Sequence, residues 1–429
     1  MTVEVAVMNQ QAVALAADSA VTVTGEHGTK IYTSANKIFA LSKYSPLGVM
    51  VYGSATISGL PWETVIKVYR TELSQQTFAH LPEHADHFVR WLASTPMLSG
   101  DVESHFVQLT AISFLGAIRS FIVEGARETI ASKPDGEELT LREVRKIVRD
   151  VVANAEKFVE SRPERSLPKG FTAKIVEAHE VPIDKAIESV LENLPLSAAV
   201  RGKLRRLAVA PLVRQIAPED SGIVIAGFGE SDYVPRLRSY RIDGVVLGQA
   251  IYSDHTTADL SHRRDDSAYI AAFAQPDFTV MFMEGVHPRY QEFIEAYLER
   301  AVDRLCELLK ARTSDTDLTD AIDVLRNELL GQYAEELERQ RFASYIEPVL
   351  DAVGSLPKDE LGALAESLVN LTVLKKRVSH EPETVGGPVD VAVISKGDGL
   401  VWIQRKHYFD PSLNHHFFAN YYRGVSDAD

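Results

Sequence analysis

The second residue of the chain is a threonine, Thr2, directly behind the initiator methionine. Methionine aminopeptidases accept a small second residue, so a mature chain can begin with a free threonine. Such a residue holds a hydroxyl and an α-amine side by side. The amine has a reference pKa of about 7.7–8.0, so part of it is unprotonated at neutral pH. It can take the hydroxyl proton, directly or through a water, and make the oxygen a nucleophile for a carbonyl. A threonine in second place is unspecific by itself. Three further groups follow in order: Asp18 in Ala16-Ala17-Asp18-Ser19, Lys37 in Asn36-Lys37-Ile38-Phe39, and Gly53 in Gly53-Ser54-Ala55. Each has a plain alternative. Asp18 could close a strand or turn, Gly53-Ser54 could be an ordinary loop, and Lys30 competes with Lys37. Lys37 fits better because it precedes the apolar Ile38-Phe39 pair.

Other groups that could do chemistry weigh less. Cys306, the single cysteine, lies at an apolar position of the helical stretch AVDRLCELLKAR and reads as a buried thiol rather than a nucleophile. One cysteine also excludes an intramolecular disulfide. Asp254-His255, His262 and Asp265-Asp266 lack the spacing of a helical metal-binding His pair and read as a polar loop, so no metal is expected. Gly227-Phe228-Gly229 lacks the third glycine and following helix of a dinucleotide loop. Arg201, Lys203, Arg205 and Arg206 read as a solvated basic helix face, and His415-His416 as surface. Aromatic residues crowd the C-terminus, from Trp402 and Tyr408 to Tyr421 and Tyr422. Some belong to the core, and the tail could dock on a neighbouring subunit.

The elements that must position these groups alternate in kind. Val3, Val5 and Val7 alternate with Thr2, Glu4 and Ala6, the period of a strand. Asn9-Gln10-Gln11 reads as a turn into the apolar strand Val13–Ala17. Two more strands are expected at Lys37–Leu41 and Gly48–Tyr52. From Leu60 to about Ile216 the pattern is helical, broken at Pro134-Asp135-Gly136 and by an exposed loop over Ser161–Gly170. Strand character returns at Ile223–Gly227 and Arg236–Ile242, with Asp243-Gly244 as a hairpin signal. Ala268–Phe273 and Thr279–Met283 are short apolar runs. Helices resume with Phe293, Tyr297, Val302, Leu305 and Leu309 on one stripe and continue to about Leu374. A final hairpin is expected from Val389–Ile394 and Leu400–Gln404. It needs a partner, and the N-terminal sheet is the obvious one. The expected fold is a layered α+β domain with helices packed on sheets.

Composition bounds the function. With 429 residues, 45% hydrophobic and 24% charged, the chain can bury a sizeable core. Its 45 basic and 60 acidic side chains leave a net charge of −15, which speaks against nucleic acid and against anionic membranes as partners. No apolar run approaches the roughly 20 residues that span a bilayer. The N-terminus lacks the pattern of a signal peptide, so a cytoplasmic protein is expected.

The ordered set TVEVAVMNQQAVALAADSAVT, NKIFAL and GVMVYGSAT resembles the β-type subunits of the proteasome and the related bacterial peptidase rings, which are N-terminal-nucleophile hydrolases. The spacing from Thr2 to Asp18 is the family's, and a short insertion over Thr24–Thr29 precedes Lys37. The resemblance continues more weakly through SGIVIAGFGESDYVPRLRSYRIDG and through Thr384-Val385-Gly386-Gly387 with PVDVAVISKGDGLVWI. It implies a four-layer αββα sandwich as one domain over residues 1–429, with helical insertions at about 60–218 and 287–357. It implies Thr2 as nucleophile, Lys37 as the cation beside its hydroxyl, Asp18 as the group holding Lys37, and the Gly53 N–H as oxyanion donor. Thr22 would align an extended substrate by backbone bonds, and Val51 and Ala55 would line the pocket for the residue before the cleaved bond. No cofactor is implied. The partners implied are a peptide or protein substrate and further copies of the chain in a homo-oligomer.

The chain departs from the family at two places. Ala272-Phe273-Ala274-Gln275 stands where a Ser-Gly pair is usual, and Glu381–Val385 stands where an Asp and a Ser precede the Gly-Gly, so Glu383 or Thr384 would have to substitute. The function expected is therefore a threonine-type peptidase. Two alternatives stay open: a catalytically silent structural or regulatory subunit, and an amidase acting on a small substrate.

Overall fold

Two five-stranded antiparallel sheets carry the framework in the computed structural model, which describes residues 2–25, 28–134, 137–216, 222–260, 267–379 and 385–421. The chain starts with strands β1 (Glu4–Asn9), β2 (Ala12–Ala17), β3 (Val21–Gly25), β4 (Gly28–Tyr32), β5 (Ile38–Ala40), β6 (Leu47–Tyr52), β7 (Thr56–Ile57) and β8 (Leu60–Pro61). Helices α1 (Trp62–Leu73), α2 (Leu81–Ser94), α3 (Asp101–Ala131), α4 (Leu141–Glu160), α5 (Phe171–Ala178), α6 (Glu180–Val190), α7 (Ala198–Ala208) and α8 (Ala210–Val213) follow. Then come β9 (Gly222–Gly227), β10 (Arg236–Val246), β11 (Gln249–Asp259) and β12 (Ala268–Phe273). After α9 (Asp277–Glu284), α10 (Pro288–Lys310), α11 (Thr316–Arg341), α12 (Glu347–Gly354) and α13 (Lys358–Arg377), the chain closes with β13 (Asp390–Ser395), β14 (Gly399–Gln404) and α14 (His415–Tyr421).

The first sheet has the order β12-β1-β2-β13-β14 and the second β11-β10-β9-β6-β5. The C-terminal hairpin does join the N-terminal sheet: β13 pairs with β2, Val391 opposite Ala16. The β1–β2 turn is set by the buried side chain of Asn9. Its Oδ1 accepts from the N–H groups of Gln11 (2.9 Å) and Ala12 (3.2 Å), and its Nδ2 donates to the Leu356 carbonyl (2.8 Å). One side chain thus closes a turn and ties it to the approach of α13.

The alternation along β1 sorts its residues between two cores rather than between core and water. Val3, Val5 and Val7 pack with Leu361, Ala365 and Leu368 of α13. Ala6 and Met8 pack with Met50 and Val224 of the other sheet. The far face of that second sheet, through Val49, Ile223 and Ile225, meets Trp62, Tyr69 and Phe88 of α1 and α2. Strands covered on both faces must be apolar on both, which is why Ala12–Ala17 shows no polar residue at all. A further cluster joins α3 to α4–α8 and takes in Val246 and Ile251, where the β10–β11 hairpin enters the helices. The architecture is mixed α+β with antiparallel sheets.

Several expectations are corrected. The hairpin turn is not at Asp243-Gly244. β10 runs on to Val246, with a register shift beside Gly244, and the chain reverses at Leu247-Gly248, both with positive φ (49° and 68°). Gly244 instead lies against Phe106, whose ring leaves no room for a Cβ. The run Thr279–Met283 is helical, within α9. In the loop Ser161–Gly170, Arg165 is buried and pairs with Asp243 (2.7 Å). The basic residues of α7 face acids of neighbouring helices: Arg205 meets Asp184 (2.6 Å) and Glu180 (2.6 Å), and Lys203 meets Glu156. Cys306 is half-buried on α10, a helix with no buried residue. Finally, α3, with 31 residues, is long and apolar enough by length and composition to cross a membrane, which the search for an unbroken apolar run missed. Here its Val107, Ala111, Leu115, Ile118 and Ile122 are buried in the α3–α8 cluster.

Candidate active site

Thr2 sits two residues ahead of the first residue of β1 and is 3% exposed. Its place is fixed through the next residue. The Val3 N–H donates to Asp18 Oδ1 (3.0 Å), and the Asp18 N–H donates to the Val3 carbonyl (3.1 Å). Asp18 follows directly on β2, so the β1–β2 hairpin brings positions 2 and 18 together. The Asp18 carboxylate also accepts from the Ala20 N–H (3.2 Å) and the Gly386 N–H (2.8 Å). Lys37 Nζ donates to Asp18 Oδ1. Lys37 itself stands at the head of β5 and is 6% exposed. Its carbonyl accepts from the Val51 N–H (2.9 Å), which ties it to β6. One buried aspartate therefore holds the strand that starts at the threonine, the lysine, and the backbone at Gly386.

A third ionisable side chain completes the cluster. Glu4 lies two residues after Thr2, so strand alternation puts both side chains on one face. The Thr2 hydroxyl donates to Glu4 Oε2 (2.8 Å), and Glu4 Oε1 stands 3.3 Å from Lys37 Nζ. Glu4 is fully buried. Removal from water pushes its carboxyl up from 4.5 to about 7; Lys37 pulls it back and Asp18 pushes it further up. The cluster holds one cation for two carboxylates, and burial makes a second full negative charge costly.

The wall of the site comes from the other sheet. After β6 the chain turns at Gly53, whose φ of 77° suits glycine. This turn points the Gly53 N–H at Thr2 Oγ1, 3.4 Å away. The Trp62 N–H donates to the Ala55 carbonyl (3.1 Å) and holds the rest of the loop. Thr2, Lys37 and Gly53 open on a pocket of about 150 Å³ lined also by Val21, Ala35, Val51, Ala55 and Trp62. Asn36, Ser54 and Glu63 also line it, so apolar and polar groups share its wall.

Of the residues singled out in the sequence, Thr2, Asp18, Lys37, Gly53, Val51 and Ala55 come together here. Thr22 does not line this pocket. It lies half-buried on β3, one residue beyond the lining Val21, and its buried hydroxyl has no hydrogen-bond partner among the described residues. Lys30 is exposed on β4 and pairs by backbone with Val23, away from the cluster. Glu383 and Thr384 lie outside the described residues, as do His262, Asp265 and Asp266. The stretch Ala272–Gln275 closes β12 beside Glu4, which pairs with Phe273, and brings no hydroxyl to Thr2. Among the described residues no group of three His, Cys, Asp or Glu side chains could hold a metal. Glu4 was missed. Its signal was a lone carboxylate in an otherwise apolar strand, at the same parity as the threonine.

No family profile matches the chain, and no curated protein matches it. Among solved structures it is similar to Anbu, a Gly-1 mutant from Hyphomicrobium sp. strain MC1, at 9% identity and a TM-score of 0.27, over 100% of this chain and 98% of that one. At that TM-score the likeness carries no weight for fold or function.

Proposed function

We propose that the protein is a threonine-type N-terminal-nucleophile hydrolase that cleaves an amide bond through Thr2 once Met1 is removed. The observation that carries this reading is the setting of the Thr2 hydroxyl. It lies between a carboxylate at 2.8 Å and a backbone N–H at 3.4 Å, and it lines a pocket together with a buried lysine. In this reading Thr2 Oγ1 attacks the substrate carbonyl carbon. The Lys37 ammonium beside it favours loss of the hydroxyl proton, and Asp18 keeps that ammonium in place. The Gly53 N–H donates to the oxyanion of the tetrahedral intermediate. The departing amine takes up the proton that Thr2 released, and water hydrolyses the ester on Thr2, restoring its hydroxyl. A pocket of about 150 Å³ suits a small or medium apolar side chain next to the scissile bond.

The two sheets and their flanking helices are read here as the four-layer αββα sandwich, with α3–α8 and α10–α12 as additions to it. We also assign the exposed apolar stripe of α10 and α11 to contact with other copies of the chain. The test of the activity is a fluorogenic peptide library with small apolar residues before the cleaved bond. Turnover by wild type and none by Thr2→Ala is the expected result. Turnover that Thr2→Ala leaves unchanged would assign the activity elsewhere and favour a silent relative.

A further inference from the structure

We propose that Glu4 is the general base of this site, taking the Thr2 hydroxyl proton as the oxygen attacks and passing it to the leaving amine. The inference rests on the hydrolase reading above, and adds a residue which that reading does not use. Glu4 Oε2 is already the acceptor of the Thr2 hydroxyl at 2.8 Å, inside the range a base needs. Its other oxygen faces Lys37 at 3.3 Å, so the carboxylate is held from both ends. It is fully buried, and the stretch beside it, Ala272–Gln275, brings no hydroxyl that could relay a proton instead.

The charged and titratable groups around it are few. Lys37 and Asp18 lie on its own side, Tyr52 faces it from β6, and once Met1 is removed the Thr2 α-amine, with a reference pKa of about 7.7–8.0, joins them. Arg241 of β10 interacts with Tyr52, and the His255 ring of β11 lies 6.2 Å from the tyrosine ring. Of these side chains, Lys37 alone makes a direct ion pair with Glu4, and Glu4 alone accepts the Thr2 hydroxyl; the shift of the pH limb in Glu4→Asp separates its role from that of the Thr2 α-amine.

The proton balance closes. The Thr2 O–H proton moves to Glu4 Oε2 as Oγ1 bonds to the carbonyl carbon, and the oxyanion takes the Gly53 N–H. The C–N bond breaks, and Glu4 returns the proton to the departing nitrogen, leaving an ester on Thr2. Water then attacks the ester, Glu4 takes a water proton and returns it to Thr2 Oγ1. The net change is one amide and one water to an acid and an amine. Burial sets the proton affinity of Glu4 near neutrality, so it can both accept and return a proton there.

The test is the rate at which a peptidyl β-lactone acylates Thr2, read by intact mass against pH. Wild type should label at Thr2, faster as pH rises through about 7, where Glu4 ionises. Glu4→Gln keeps an oxygen that accepts the Thr2 hydrogen bond and loses the base together with the charge facing Lys37, so labelling should fall about 100-fold. Glu4→Asp keeps a carboxylate in a different place, and should move the pH limb; it also serves should Glu4→Gln fail to fold. Labelling of Glu4→Gln at the wild-type rate, or a limb that Glu4→Asp leaves in place, would overturn the role of Glu4 alone. Wild type that takes no label at Thr2 would overturn the role and the hydrolase reading together.

Discussion

A carboxylate with no water around it and half of a lysine to share is the most loaded residue of the molecule. The Glu4 carboxyl lies at about 7 in the folded chain against 4.5 when free. Between these values the folded chain holds a proton that the unfolded chain has released. Stability from this group therefore falls as pH rises from about 4.5 to 7, by about 3 kcal/mol in all. Urea unfolding at pH 5 and pH 8 should show this loss in wild type, and Glu4→Gln should lose less over the same interval. Asp18 carries a different risk. It is the direct partner of buried Lys37 and accepts three backbone N–H groups. Asp18→Asn should destabilise the chain by about 3–5 kcal/mol, because it leaves the buried ammonium with Glu4 at 3.3 Å as its remaining acidic partner, and a thermal melt checks it. Thr2, Asp18, Lys37 and Gly53 were legible in the sequence because each ends or opens an apolar strand. Glu4 was not, because alternation alone does not say that both faces of a strand are covered.

At the scale of elements, the contact between the sheets is tight enough to test. A Cβ on Gly48 of β6 would lie 2.6 Å from Ile394 of β13 and 3.2 Å from Leu15 of β2. Gly48→Ala should cost about 1–3 kcal/mol as those side chains give way, read as a lower unfolding midpoint. The buried strands were legible for the same reason that they pack: Ala12–Ala17 and Leu47–Tyr52 are apolar on both faces. Helix α2 was merged into a general helical region, since Leu81, Ala85, Phe88 and Leu92 mark one face only once the chain break before it is known. The turn at Leu247-Gly248 was hidden by a stronger local signal, Asp243-Gly244. That pair is used at a register shift, where the close approach of Phe106 needs glycine. Long-range packing chose between two turn signals, and no short window of sequence holds that information.

Across the whole molecule, α10 and α11 stand out because 23 and 26 residues of helix bury no side chain. Phe293, Tyr297, Leu305 and Leu309 of α10 and Leu325 and Leu329 of α11 are exposed. These exposed side chains are the ones the proposed assembly would cover. Under the proposed assembly, sedimentation at micromolar concentration should give a species heavier than the 47.5 kDa chain, and Tyr297→Glu with Leu305→Glu should return it to one chain. A wild-type monomer would remove the oligomer and favour a small-substrate amidase. The central claim concerns Thr2, and peptide mapping after exposure to a peptidyl β-lactone tests it most directly. The account predicts a chain that begins at Thr2, one adduct per chain on that residue, and none on Thr2→Ala. Quantitative retention of Met1, or equal labelling of Thr2→Ala, would contradict it.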